Sequence, residues 1–173
     1  MTKIALFGAR ATLLAAVVAV VGTPTRADDD DAFVTFRVLK PELAITMAVA
    51  AMESCRDAGY QVGVSVVDRF GNQQVFVRDR FAGVHTEMTA KRKAWTAVSF
   101  RTPTLELDHA TRPGSSAAGI RELDMALPLG GGVPVENAGS IVGGIGVSGA
   151  PGVEIDDECA RDGIAAIEDE LAF

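Results

Sequence analysis

The sequence predicts an α+β domain in which helices pack on a mostly antiparallel sheet. Two features carry that prediction. Valine-rich stretches with period-two alternation are joined to each other by short glycine-containing turns, so nearly every strand link is a hairpin. Stretches with helical spacing stand before, between and after them, giving the order α-β-β-α-(short α)-β-β-β-α and a five-stranded sheet. A doubly wound parallel sheet would need a helix after each strand. At 173 residues the chain is long enough for one domain with a full hydrophobic core.

Residues 1–27 read as a secretory signal. Lys3 and Arg10 give a positive start, Ala11–Val21 is apolar and uncharged, and Thr25-Arg26-Ala27 resembles a small-x-small cleavage site. The apolar run is roughly half the ~20 residues that span a bilayer, so no membrane span is expected after cleavage. A periplasmic or secreted location follows. Residues 28–37 begin with Asp28–Asp31 and read as a flexible acidic leader, and residues 38–173 form the single domain.

Within that domain, Pro41 suits a first helical turn and Gly59 a helix end. Between them Leu43, Met47, Ala50, Ala51 and Ser54 recur at helical spacing. "QVGVSVVDRFGNQQVFVRD" is a hairpin, with Val62, Val64 and Val66 alternating before the Phe70-Gly71-Asn72 turn and Val75 and Val77 after it. Asp68 reads as a turn former. A second helix runs from about Thr86 to Phe100 and stops before Thr102-Pro103. Residues 104–126 are short helical pieces broken at Pro113-Gly114, with His109 in a loop. Three strands follow, Leu127–Leu129, Val133–Val135 and Ser140–Val147. A closing helix places Cys159, Ile164 and Ile167 on one face and its acids on the other.

The charge narrows the partners. The whole chain carries −7; loss of Lys3, Arg10 and Arg26 leaves 13 basic against 23 acidic residues, or −10. Such a surface argues against nucleic acid and against anionic membranes. Cys55 and Cys159 lie far apart with no CxxC, which excludes a zinc ribbon or a thioredoxin-like centre. A disulfide and two buried free thiols both remain open. The glycines of "PLGGGVP" and "VGGIGVSG" fall in turns and inside strands, not between a strand and a helix N-terminus where a phosphate would sit. They are expected to permit close backbone approach of something flat.

Three stretches in order, "VSVVDRFGNQQVFVRD", "HTEMTAKRKAWTAVSFRTPT" and "LPLGGGVPVENAGSIVGGIGVSGAPGVEIDDECARDGI", resemble the GlcG/HbpS-type haem-binding proteins, also described as the haem-degrading domain family. The likeness covers nearly all of residues 40–171. It implies a profilin-like sandwich with a five-stranded antiparallel sheet, assembly into homo-oligomers, and binding of haem or a related tetrapyrrole. For an exported member it implies a sensing, storage or delivery role with a protein partner.

With that context His85 becomes the candidate iron ligand, since haem iron accepts histidine, methionine, cysteine or tyrosine side chains. Thr86, Met88, Lys91, Arg92 and Trp95 complete the expected site: the basic residues, Lys93 among them, for haem propionates, and Met88 and Trp95 as apolar wall. Two other readings stand beside this one. An enzyme would degrade haem, or act on a small organic acid with His85 and a carboxylate such as Asp68, Asp79 or Glu87 as acid–base pair. An accessory oligomer would bind no ligand.

Overall fold

The computed structural model describes residues 32–172; residues 1–27, expected to be a secretory signal, and Asp28–Asp31 lie outside them. Thr35–Phe173 forms one compact unit, and Phe33 and Val34, which precede it, are exposed. Its elements are α1 (Pro41–Asp57), β1 (Gly63–Asp68), β2 (Gln73–Arg78), α2 (Thr86–Phe100), α3 (Thr104–Ala110), a 3-10 turn (Ala118–Glu122), β3 (Gly132–Asn137), β4 (Ser140–Ser148), α4 (Val153–Ala165) and α5 (Glu168–Leu171). His109 therefore sits in the last turn of α3, not in a loop.

The sheet is antiparallel, in the order β2-β1-β4-β3, and has four strands where five were expected. The missing strand is Leu127–Leu129. Its backbone groups are taken by side chains: Thr96 Oγ1 accepts from the Leu127 amide at 2.8 Å, and Leu129 O accepts from Thr104 Oγ1 at 2.7 Å. Pro128 between them has no N–H to donate. The Leu129 amide donates to Leu127 O at 2.8 Å, so the segment turns on itself and has too few free groups to build a ladder.

Side-chain alternation gives the sheet two unlike faces. Val64, Val66, Val133, Val135, Ile145 and Val147 point to the side covered by α1 and α4 and make the main core. The buried stripe of α1 is Ala44, Met47, Ala48, Ala51 and Cys55, so Leu43, Ala50 and Ser54 are only partly covered. Small residues fill that stripe because α4 crosses closely: a Cβ on Gly163 would lie 2.7 Å from both Ala51 Cβ and Met47 O. Cys55 and Cys159 meet across this crossing as a disulfide with Cα atoms 5.5 Å apart. The acids of α4 do not all face outward as expected, since Asp156 and Asp157 are buried.

The other face is covered mainly by α2, with Thr104 of α3 against Gly132, and here the glycines find their purpose. Added Cβ atoms on Gly146 and Gly132 would collide with the α2 backbone at Ala90 O and Lys93 O, and one on Gly144 with the Val98 side chain. What approaches the glycine-rich strands closely is helix α2 itself. Gly146→Ala is therefore expected to destabilise the fold by about 1–3 kcal/mol, the usual range for overpacking, because the obstacle is backbone rather than a mobile side chain. Gly119→Ala, where nothing lies within 4 Å, should stay within about 0.5 kcal/mol of wild type. Urea denaturation of both variants checks the pair; equal midpoints would mean that α2 does not sit this close.

Candidate functional site

The loop between β2 and α2 is fixed by its backbone and by the buried Asp79 and Ala82, while Arg80, Phe81, Val84 and His85 are exposed. The Asp79 amide donates to Val62 O at 3.0 Å, and the Phe81 amide donates to Gln61 Oε1 at 2.9 Å. Asp79, itself buried, accepts a 2.9 Å hydrogen bond from Arg56 Nε, and that guanidinium holds its carboxyl below the usual range. At the helix entry, both the amide and the hydroxyl of Thr86 donate to Gly83 O, the latter at 2.7 Å. Thr86 is wholly buried against Gly63 of β1.

On this scaffold His85 occupies the N-cap position of α2, exposed, with its ring lying over Gly83. A Cβ on Gly83 would come within 2.6 Å of His85 Cε1, so the absence of a side chain there gives the imidazole its seat. Within four residues of it in the chain, three apolar side chains are left in the open: Phe81 at 80 % exposure, Val84 at 83 % and Met88 at 59 %. Within α2, Met88 and Lys91 are three residues apart and share one face of the helix. An exposed imidazole beside exposed apolar residues, with a lysine one turn after Met88, suits a flat apolar ligand that carries a metal and acidic groups.

The structure gathers only part of the expected set. His85, Met88 and Lys91 lie at this end of α2, whereas Trp95 sits ten residues on, about 15 Å along the axis, with its ring against Gly71 of the β1–β2 turn. Arg92 is turned inward, its guanidinium donating to Ala126 O at 2.7 Å and Met125 O at 3.4 Å. Thr86 is spent on the loop. Asp68 accepts from the amides of Phe70 and Asn72, as a turn former does. Among the described residues no carboxylate bonds to His85, and no group of three histidines, cysteines or acids gathers as a metal site. Sequence reasoning missed Phe81 and Val84. The signal for both was two large apolar residues flanking a glycine just ahead of a helix.

Lys93 has a different role from the one expected. It is buried to 1 % exposure, and its ammonium donates to Asp156 Oδ2 at 2.7 Å and to Val147 O at 2.9 Å. Asp156 Oδ1 in turn accepts from the Ala150 amide at 3.0 Å. Burial pushes Lys93 down and Asp156 up, each toward its neutral form, and their mutual attraction opposes both shifts. This pair ties α2 to the first turns of α4 and takes no part in the exposed face.

The sequence profile of the family described as haem degrading protein HbpS-like matches residues 39–165. The chain belongs to the HbpS-like family. A double mutant of HbpS from Streptomyces reticuli superposes with a TM-score of 0.74 at 38 % identity, covering 83 % of this chain and 96 % of that one. The structure described as a PduOC:haem complex gives a TM-score of 0.70 at 32 % identity, with 75 % and 95 % covered. The corrinoid adenosyltransferase PduO of Salmonella typhimurium is 36 % identical over 120 residues, 68 % of this chain and 35 % of that protein. The HbpS-like chain thus spans about a third of PduO. Its antiparallel sheet with helices on both faces is the fold these neighbours share.

Proposed function

We propose that this protein binds haem on the face formed by Phe81, Val84, His85 and Met88. The observation that carries the reading is His85, an exposed imidazole seated on Gly83 in a segment whose large apolar side chains Phe81, Val84 and Met88 are left uncovered. His85 supplies the iron ligand, Phe81, Val84 and Met88 cover part of the porphyrin, and Lys91, on the same helix face as Met88, meets a propionate. Thr86, Arg92 and Trp95 support the helix and the turns rather than the ligand. The site is open on the side away from α2, and a second copy would cover it; the expected homo-oligomer rests on this exposed apolar surface. Likeness to a haem complex and to a family described as haem degrading supports the ligand class.

An exported protein with a sensing, storage or delivery role and a protein partner is the accompanying proposal. The Cys55–Cys159 disulfide supports it, because such bonds persist in oxidising compartments. Among the described residues no helix is long and apolar enough to cross a membrane. Material from the native secretory route should begin near Asp28 by intact mass; a chain still carrying Met1 would overturn the export reading.

The test of the ligand reading is a haemin titration followed in the Soret band. His85→Ala should shift the maximum and weaken retention at least about tenfold, or about 1.4 kcal/mol, with the far-UV circular dichroism unchanged. His109→Ala, at an exposed site beside Arg112, should change neither. An unchanged His85→Ala spectrum would remove His85 as the ligand. The family's description favours one second reading, turnover of haem: steady loss of the Soret band with an electron donor marks degradation, and a stable band marks binding.

A further inference from the structure

We propose a second binding site at the opposite end of the sheet, a cavity of about 410 Å³ beneath residues 37–43 that takes a small amphipathic carboxylate. The two sites are well separated. β1 runs from Gly63, against Thr86, to Asp68, beside Gly143 of β4, on the order of 17 Å away. The cavity opens beyond that second end, where β3 turns into β4.

Its chemistry differs from that of the His85 face. Val38, Leu39, Leu43, Val142 and Leu171 make an apolar wall, and Arg37 and Lys40 bring positive charge to it against the single acid Glu170. Ligand sites of this kind are mostly apolar with a few placed polar groups, and their volumes begin at about 300 Å³. Lys40 has no ion-pair partner among the described residues and is exposed, so its ammonium is free to reach a bound carboxylate.

The walls are held by specific bonds. Gln74 Nε2 donates to Leu39 O at 3.2 Å, pinning the segment to β2. Asn137, at the end of β3, joins the other two walls: its Oδ1 accepts from Arg37, and its Nδ2 donates to Leu171 O. One side chain thereby fixes both the segment before α1 and the C-terminal helix α5. In a chain of net charge −7, a held apolar cavity with the exposed ammonium of Lys40 at its rim selects an acid with an apolar tail over an apolar molecule or an amine.

Octanoate is the probe, titrated calorimetrically into the intact, disulfide-bonded protein, with octylamine as the cationic control. Saturable octanoate binding is expected, and weaker octylamine binding. Lys40→Glu should weaken octanoate at least about threefold, in line with a partly exposed ion pair. Leu43→Trp should abolish binding by filling the cavity, and if that variant fails to fold, Lys40→Glu decides alone. His85→Ala should bind octanoate as wild type does. No saturable binding at millimolar octanoate, equal affinity in Lys40→Glu, or loss of binding in His85→Ala would each overturn the proposal.

Discussion

Lys93→Met alone should cost about 3–5 kcal/mol of stability, while Lys93→Met combined with Asp156→Leu should cost little or nothing. The single change removes the ammonium and leaves a carboxylate buried at 3 % exposure with only the loop amides to satisfy it. An uncompensated buried charge is expensive, and the cost is a large part of the 5–15 kcal/mol that a domain of this size possesses. The double change replaces both charges with apolar groups of similar bulk, so the desolvation penalty disappears together with the attraction. Val147 O then loses one donor, yet it is a β4 carbonyl with ladder partners nearby. Urea denaturation of both variants reads the two effects. If Lys93→Met lost less than about 1 kcal/mol, the pair would be solvated in solution and its role as the tie between α2 and α4 would be wrong.

Breaking the Cys55–Cys159 bond should be the other large loss. The bond closes a loop with a sequence separation of 104, and loop-closure entropy for about 100 residues amounts to about 4.7 kcal/mol, of which about 2–4 kcal/mol is usually realised. The sulfurs lie where α1 and α4 pack over Gly163, with both cysteines almost wholly buried, so reduction should be slow in the folded protein and fast in urea. Cys55→Ser/Cys159→Ser, compared with the oxidised protein, gives the equilibrium cost; thiol titration of the unreduced, urea-unfolded chain should find none. Two free thiols in that titration would mean that the pair does not form.

The His85 face shows how far a sequence can lead and where it stops. A histidine before a helix was legible from spacing, and so was the helix, because Thr86–Phe100 ends where Thr102-Pro103 forbids its continuation. Of the basic run "KRK", at least one residue is expected to face haem propionates. Consecutive residues on a helix point about 100° apart, so the three side chains differ: Lys91 is half-buried, Arg92 donates to the carbonyls of Met125 and Ala126, and Lys93 goes to the interior. Trp95 had the right character for a ligand wall, but it stands at the wrong end of the helix.

The three long helices, four of the strands, the β1–β2 and β3–β4 hairpins and the family of the domain were legible in the sequence. These depend on local pattern: two-residue alternation, helical spacing, and glycine or proline at element ends. Packing settled the rest: "LPL" stays out of the sheet, Cys55 pairs with Cys159, Lys93 and Asp156 are buried partners, and Phe81 and Val84 remain outside. Each of those outcomes turns on which distant groups arrive first at a backbone amide, a sulfur or a charge. Local pattern carries no information about that arrival, because burial and pairing are properties of the packed chain.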